Sequence, residues 1–250
     1  MTFFKKFLAG AAAFFLMAGA VQAETIKFAV TDINGLEELQ VHYGAFVDVL
    51  EEITGDKVKF FPINNRTAAV EALANGHVDY VLTGPAEYIV FRARAKAVPV
   101  VAWQRLDYFT QLVVTNESSV KTLADMKGKV IAFGEVGSTS THLGPAQLLA
   151  SIGLMPNKDY KAMNIHRNVS IEALLRGDVD AVAVGSSHLF NIRDKFTDVG
   201  LRVAARGPDL PNDVLVAGAH VSAANVKKMR DAFINNAQKL LDAALKGEDN

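Results

Sequence analysis

The sequence predicts an α/β protein built from two similar lobes, and three observations support this prediction. β-Branched apolar runs alternate with stretches of helical apolar spacing, which is typical of parallel sheets covered by helices. One pattern occurs twice, in AVEALANGHVDYVLTG (69–84) and SIEALLRGDVDAVAVG (170–185). In both segments a predicted helix is followed by a glycine, Val-Asp, a predicted strand and a second glycine. Since ligands of open α/β sheets bind beyond the carboxyl ends of strands, the two glycine-ended strands predict a shared cleft.

The first residues of the chain predict a secretory signal peptide. Lys5 and Lys6 precede an apolar run at 7–21, and cleavage is expected after Ala23. The run is short for a membrane-spanning helix, so we expect an exported, soluble, periplasmic chain.

Composition excludes several classes of function. Removal of Lys5 and Lys6 with the leader leaves 24 basic against 27 acidic residues, which does not favour nucleic-acid binding and requires any anion site to be local. The chain has no cysteine, which excludes disulfides, thiolate metal ligands and cysteine nucleophiles.

Hydrophobic periodicity and glycine positions predict the elements of the first half of the chain. The predicted strands are Thr25–Thr31, Val58–Ile63, Val78–Thr83, Val98–Trp103 and Gln111–Thr115. The predicted helices are Glu37–Ile53, Thr67–Asn75 and Glu87–Ala97.

The same signals predict the second half. The predicted strands are Lys129–Phe133, Tyr160–Ile165, Ala181–Val184, Leu201–Ala205 and Val214–Ala219. The predicted helices are Leu143–Ile152, Ile171–Arg176 and one long final helix, Ala223–Leu245.

The stretch from Lys129 to Gly153 carries the clearest functional signal. Gly134 and Gly137 break the predicted strand, and four consecutive hydroxyl side chains, at 138–141, precede the predicted helix. Backbone N–H groups at a helix start, joined by several hydroxyl donors, suit a tetrahedral oxyanion. The alternative is that the hydroxyls only cap the helix, but one hydroxyl is enough for a cap.

Five motifs in this order resemble one known family. HYGAF stands at 42–46, GPAEY at 84–88, DMKGKVIAFG at 125–134, STST at 138–141 and IHRNVS at 165–170. Together they resemble the phosphonate, phosphite and phosphate substrate-binding proteins of ABC transporters, over about residues 25–218.

The resemblance implies the type II periplasmic binding protein fold, in which two lobes joined by two crossovers close on a ligand in a central cleft. Lobe one is expected at 24–111 together with 206–250, and lobe two at 112–205. The hinge crossovers are expected near 112–116 and 202–207. The resemblance also leads us to expect a longer C-terminal part of lobe one than a chain ending at Asn250 provides.

The resemblance also implies a set of ligand-binding residues. Tyr43 and Tyr88 are the expected donors from lobe one. From lobe two we expect Ser138, Thr139, Ser140 and His166. The family usually reads Ser-Thr-Ser-Gly where this chain continues with Thr141 and His142. Thr141 and His142 are therefore further candidate ligand-binding residues. Ser186, which follows the predicted strand Ala181–Val184, is another.

Two other classes of function remain as alternatives. A hydrolase would use Ser140, His166 and Asp180, but the G-x-S-x-G elbow of such enzymes is absent from the hydroxyl run. A metal site would use His42, His142, His166 and His188, which lack the short spacing of a histidine pair on a helix. We therefore expect neither catalysis nor a bound metal or cofactor.

The resemblance implies a monomer that carries phosphate, phosphite or a phosphonate to an ABC permease in the inner membrane. Presentation of a related oxyanion to a membrane sensor kinase is the alternative. A ligand with a cationic tail is expected to bind poorly, because hydroxyls and an imidazole follow the strand Ala181–Val184 where a carboxylate would be needed.

Overall fold

The computed structural model describes residues 23–31 and 35–248, and within these ranges ten strands alternate with eight helices. The strands are β1 Thr25–Val30, β2 Lys57–Phe60, β3 Tyr80–Thr83, β4 Val98–Trp103, β5 Phe109–Thr115, β6 Val130–Phe133, β7 Lys161–Asn164, β8 Ala181–Gly185, β9 Leu201–Asp209 and β10 Asp213–Ala217. The helices are α1 Leu36–Thr54, α2 Arg66–Ala74, α3 Pro85–Ala95, α4 Gly144–Ala150, α5 Arg167–Arg176, α6 Ser186–Lys195, α7 Ala223–Asn235 and α8 Ala237–Glu248. None of the helices in these ranges is both long and apolar enough to cross a membrane. The predicted signal peptide, 1–23, lies outside the described residues except for Ala23.

The strands form two five-stranded sheets of the same topology. The first sheet has the order β2-β1-β3-β10-β4, and the second has the order β7-β6-β8-β5-β9. In each sheet the first three strands are parallel, and the fourth runs antiparallel to both of its neighbours. The sequence pattern that occurs twice thus reflects two equivalent sheets.

The Val-Asp of each repeat fixes the start of a central strand. Asp79 donates its N–H to Lys27 O and accepts the N–H of Lys27 at 2.7 Å. Asp180 makes the same pair of hydrogen bonds with Val130, whose N–H lies 2.8 Å from the carboxylate. The glycines at the other ends of these strands, Gly84 and Gly185, therefore face the same edge of their sheets.

The chain passes between the sheets twice, after Trp103 and after Asp209. The two passages run side by side, since the N–H of Leu210 donates to Tyr108 O at 2.8 Å. The ranges 112–116 and 202–207, near which the crossovers were predicted, overlap β5 and β9, which pair from Phe109 opposite Asp209 onwards and are longer than their apolar patterns suggest.

The C-terminal segment returns to the first sheet. Side chains of α7 and α8 join the core beneath β1, in which Phe46 packs against Phe28 and Phe233 with ring centroids 5.9 Å apart. The single final helix predicted at 223–245 is wrong, because the helix breaks at Asn236 (φ −129°). The break lets α8 fold back along α1, where the His42 ring nitrogen Nδ1 lies 3.0 Å from Gly247 O.

Candidate ligand-binding site between the two sheets

A turn that carries the hydroxyl run, here called the hydroxyl turn (Ser138–Leu143), follows β6 and leads into α4. Its backbone is wider than an α-helix, because the N–H of Leu143 reaches Ser138 O at 2.9 Å, five residues back. Such wide turns are common at functional sites. Gly137 precedes the turn at φ 95°, a left-handed conformation that favours glycine. Ser138, Thr139 and Ser140 are each only 7% exposed, so the predicted donors are buried together.

Thr141 and His142 shape the hydroxyl turn. The Thr141 hydroxyl lies over Gly134, where any Cβ would collide with it, and donates to Ser138 Oγ at 2.8 Å. The His142 ring nitrogen Nδ1 accepts the N–H of Gly137 at 3.1 Å. Burial lowers the pKa of His142, which favours the neutral ring that this acceptor role requires. These contacts support the conformation of the turn and orient Ser138.

Thr139 joins the two sheets. Its hydroxyl accepts the N–H of Ala86 at 3.1 Å and donates to Glu87 Oε2 at 3.2 Å. Ala86 and Glu87 lie in the first turn of α3, which begins after β3 and Gly84. The hydroxyl turn of the second sheet thus meets the N-terminal end of a helix from the first sheet.

Glu87 and Arg66 form a buried ion pair at this junction. An Arg66 Nη1 N–H donates to Glu87 Oε1, and the two side chains are 10% (Arg66) and 5% (Glu87) exposed. Thr31, which follows β1, also donates to Glu87 Oε1, at 3.3 Å. The Arg66 Nε atom lies 3.8 Å from a carboxylate oxygen of Glu135, which belongs to the second sheet's side of the junction.

Glu87 and Arg66 were not among the residues predicted from the sequence. A signal for Glu87 was present, since Glu87, Phe91 and Ala95 lie at helical spacing on the buried face of α3. The chain gave no comparable local signal for Arg66, which starts α2 directly after its N-cap Asn65.

A second group of polar side chains lies at the end of β8. A Cβ placed on Gly185 would be 3.2 Å from Ser140 Oγ and 3.4 Å from His188 Nδ1, so both atoms lie over this glycine. Ser186, which begins α6, is also buried. The sequence pattern predicted no helix here, but the residues that carry the hydroxyls and the imidazole after β8 lie in the first turn of α6.

The remaining predicted ligand residues lie on other parts of the two sheets' helices. Tyr43 is half-buried on α1, with its ring edge-on to Phe46 at 6.0 Å between centroids. Tyr88 is half-buried on α3, next to Glu87, and packs against the core between α2 and α3. His166 is exposed at the start of α5, where its carbonyl accepts the N–H of Val169 at 3.0 Å. Their part in ligand binding stays a prediction.

The alternative arrangements do not assemble. Asp180 precedes the first residue of β8 and is bonded to Val130, whereas Ser140 lies over Gly185 at the last residue, about 16 Å from Asp180 along the strand. His42 lies against α8 and His142 against Gly137. Within residues 23–31 and 35–248, no three His, Cys, Asp or Glu side chains are grouped as metal ligands.

Known proteins resemble the chain over most of its length. A family model described as the periplasmic substrate-binding protein of phosphonate ABC transporters matches residues 28–246. The phosphate-import protein PhnD of Mycolicibacterium smegmatis is 30% identical over 139 residues, which are 53% of this chain and 43% of that protein. The matched part thus spans less than half the length of that relative.

Solved structures share the fold. A binding protein component of an ABC phosphonate transporter from Pseudomonas aeruginosa is 21% identical, with a TM-score of 0.74 over 88% of this chain and 79% of that chain. PhnD1 from Prochlorococcus marinus, solved with methylphosphonate, is 21% identical, with a TM-score of 0.75 over 88% and 89%. These likenesses establish the type II periplasmic binding protein fold. Together with the family match, they show that this chain belongs to the family of periplasmic substrate-binding proteins of phosphonate ABC transporters.

Proposed function

We propose that the chain is a monomeric periplasmic binding protein that captures a small phosphorus oxyanion and delivers it to an ABC permease. Phosphate, phosphite and short uncharged phosphonates form the proposed ligand class. Family membership supports transport as the role. The observation that carries the ligand class is the hydroxyl turn, whose hydroxyls are buried together and whose Thr139 meets the N-terminal end of α3 between the two sheets.

The geometry suits an oxyanion because most of its polar groups donate hydrogen bonds. The hydroxyl groups of Ser138, Thr139 and Ser140 are buried in the hydroxyl turn, and that of Thr139 lies beside the backbone N–H of Ala86 at the positive end of the α3 dipole. A hydrogen bond from a buried donor to a charged acceptor is stronger than the same hydrogen bond exposed to water. The site therefore requires no unpaired positive charge, since the guanidinium of Arg66 is already paired with Glu87.

The two passages between the sheets suit a hinge. In the form described here, Thr139 bonds directly to Ala86 and Glu87, so a ligand bound between the sheets would replace these contacts. Ligand binding would then exchange one set of hydrogen bonds across the cleft for another, as in hinged closure around a ligand. We propose lobe boundaries at these passages, near residues 104–108 and 210–212.

Calorimetry of the exported chain with phosphate, phosphite, hypophosphite, methylphosphonate and sulfate tests the proposal. We expect saturable one-to-one binding of at least one phosphorus oxyanion, which the double variant Ser138→Ala/Ser140→Ala removes. Wild-type affinity in that variant, or no binding of any phosphorus oxyanion, would refute the proposed site. Turnover of phosphoesters that is lost in Ser140→Ala would show an enzyme instead.

A further inference from the structure

A carboxylate lies inside the proposed anion site. Glu87 is 4% exposed, and its Oε2 atom is 3.2 Å from the Thr139 hydroxyl, one of the proposed ligand donors. An unpaired carboxylate would repel an oxyanion, so a site that only donates hydrogen bonds does not explain why Glu87 lies there.

Arg66 removes the repulsion without removing the acceptor. The guanidinium is bonded to Glu87 Oε1, and Thr31 donates to the same oxygen, so this side of the carboxylate is held by groups of the first sheet. The other oxygen, Oε2, faces the second sheet and accepts from Thr139. An entering anion therefore meets a charge-neutral pair whose exposed end is a hydrogen-bond acceptor.

Stability alone does not account for the pair. Burial of two charges costs desolvation energy that their attraction often does no more than offset, so such pairs are weak stabilising elements. The placement is informative, because the carboxylate engages a donor of the opposite sheet at the junction where ligand binding is proposed.

An ionised carboxylate only accepts hydrogen bonds. An oxyanion oxygen that replaces the Thr139 hydroxyl at Oε2 must therefore carry a proton. Near neutral pH, phosphate, phosphite and alkylphosphonates exist partly as forms with a hydroxyl group, whereas sulfate carries none. A site built to bond a ligand hydroxyl discriminates strongly against analogues that lack it.

We propose that Glu87 is a specificity residue that accepts a hydrogen bond from a hydroxyl group of the ligand and so selects protonated oxyanions over sulfate. Arg66 acts as its positioning residue. The inference rests on the proposed function and concerns the same site.

The groups that face Glu87 determine which protons can affect binding near neutral pH. Among the residues that the structure describes, Arg66 of α2 forms an ion pair with it, and Glu135, after β6, faces Arg66 in turn. Thr31 after β1 and Thr139 of the hydroxyl turn do not titrate near neutral pH. The change of charge invoked is therefore that of the ligand.

The test compares Glu87→Gln with a matched control, Glu135→Gln, by competition calorimetry with phosphate and sulfate. Glutamine has an amide that donates as well as accepts, so we expect the preference for phosphate over sulfate to fall about tenfold or more. Glu135 lies near the same guanidinium but is 32% exposed, and Glu135→Gln should change the preference by less than about threefold. An unchanged preference in a folded Glu87→Gln protein would overturn the inference.

A second measurement uses the unaltered protein, in case Glu87→Gln does not fold. Methylphosphonate affinity, expressed relative to sulfate at each pH, should fall as the pH rises through the last pKa of methylphosphonate. Groups of the protein that titrate affect both anions, so the ratio reports the ligand proton. A ratio that does not change with pH, or sulfate binding as tight as phosphate binding, would overturn the role of Glu87. If phosphate binds under either result, the proposed function stands.

Discussion

Removal of a single hydroxyl, in Ser140→Ala, should weaken oxyanion binding without unfolding the protein. Ser140 is 7% exposed in the hydroxyl turn, and its Oγ lies over Gly185 at the end of β8. A hydrogen bond to a charged partner is worth about 1.5–3 kcal/mol. The dissociation constant should therefore rise by about 10- to 150-fold.

Ser151→Ala provides a matched control for this substitution. Ser151 lies at the end of α4, where its hydroxyl donates to Leu148 O at 2.7 Å and is exposed to solvent. The same loss of one oxygen there should leave the affinity unchanged.

Calorimetry measures the affinity, and circular dichroism with thermal unfolding confirms that each variant is folded. Wild-type affinity in Ser140→Ala would show that its hydroxyl does not contact the ligand. A loss in Ser151→Ala as large as that in Ser140→Ala would show that the effect arises from the helix and not from the site.

Three further results are expected. Thr139→Val should weaken binding less than Ser140→Ala, because the Thr139 hydroxyl already bonds to Ala86 and Glu87 without ligand, and calorimetry of both variants checks the order. Burial lowers the pKa of His142 below 6.5, so below about pH 6.5 the unfolded chain binds more protons than the folded one, and the free energy of unfolding should fall as the pH falls. Urea unfolding should show a smaller fall in His142→Asn, whose side chain keeps an acceptor for the N–H of Gly137. 2-Aminoethylphosphonate should bind at least about tenfold more weakly than methylphosphonate, because Glu87 is already paired with Arg66 and cannot serve as counter-charge for a buried ammonium. A competition titration in which 2-aminoethylphosphonate binds tenfold more tightly than methylphosphonate would contradict this.

The sequence predicted the sheets well because their signals are local. The repeat at 69–84 and 170–185 marks equivalent strands, and the Val-Asp within it bonds to the neighbouring strand in both sheets. Glycine breaks and a cluster of hydroxyls likewise indicate the hydroxyl turn in the amino-acid sequence itself. Each of these features depends on residues close together in the chain.

Features that depend on packing were missed. The break at Asn236 accompanies the return of α8 onto α1, where His42 meets Gly247, 205 residues later in the chain. Nothing in the periodicity of a long amphipathic helix indicates such a return. α6 was missed for a related reason, since SSHLFNIRDK carries few apolar residues and its buried side comes from Leu189 and Ile192.

The Arg66–Glu87 pair shows why part of the proposed binding site escapes prediction from sequence. The two residues are 21 positions apart and meet because α2 and α3 both begin at the same edge of the first sheet. Within GPAEY the tyrosine was the predicted ligand residue, while the glutamate before it is the buried one.

The contacts of Glu87 differ in what happens to them when the sheets separate. Its bonds to Arg66 and Thr31 lie within the first sheet's own elements, so separation of the sheets would leave them intact. Its bond from Thr139 crosses between the sheets, so opening would break it. The acceptor is thus held ready before the ligand arrives, and only the contact that the ligand would replace depends on closure. A preorganised group costs less ordering at the moment of binding, which suits the proposed division of roles, in which Glu87 discriminates between anions while Thr139 and its neighbours supply the donors.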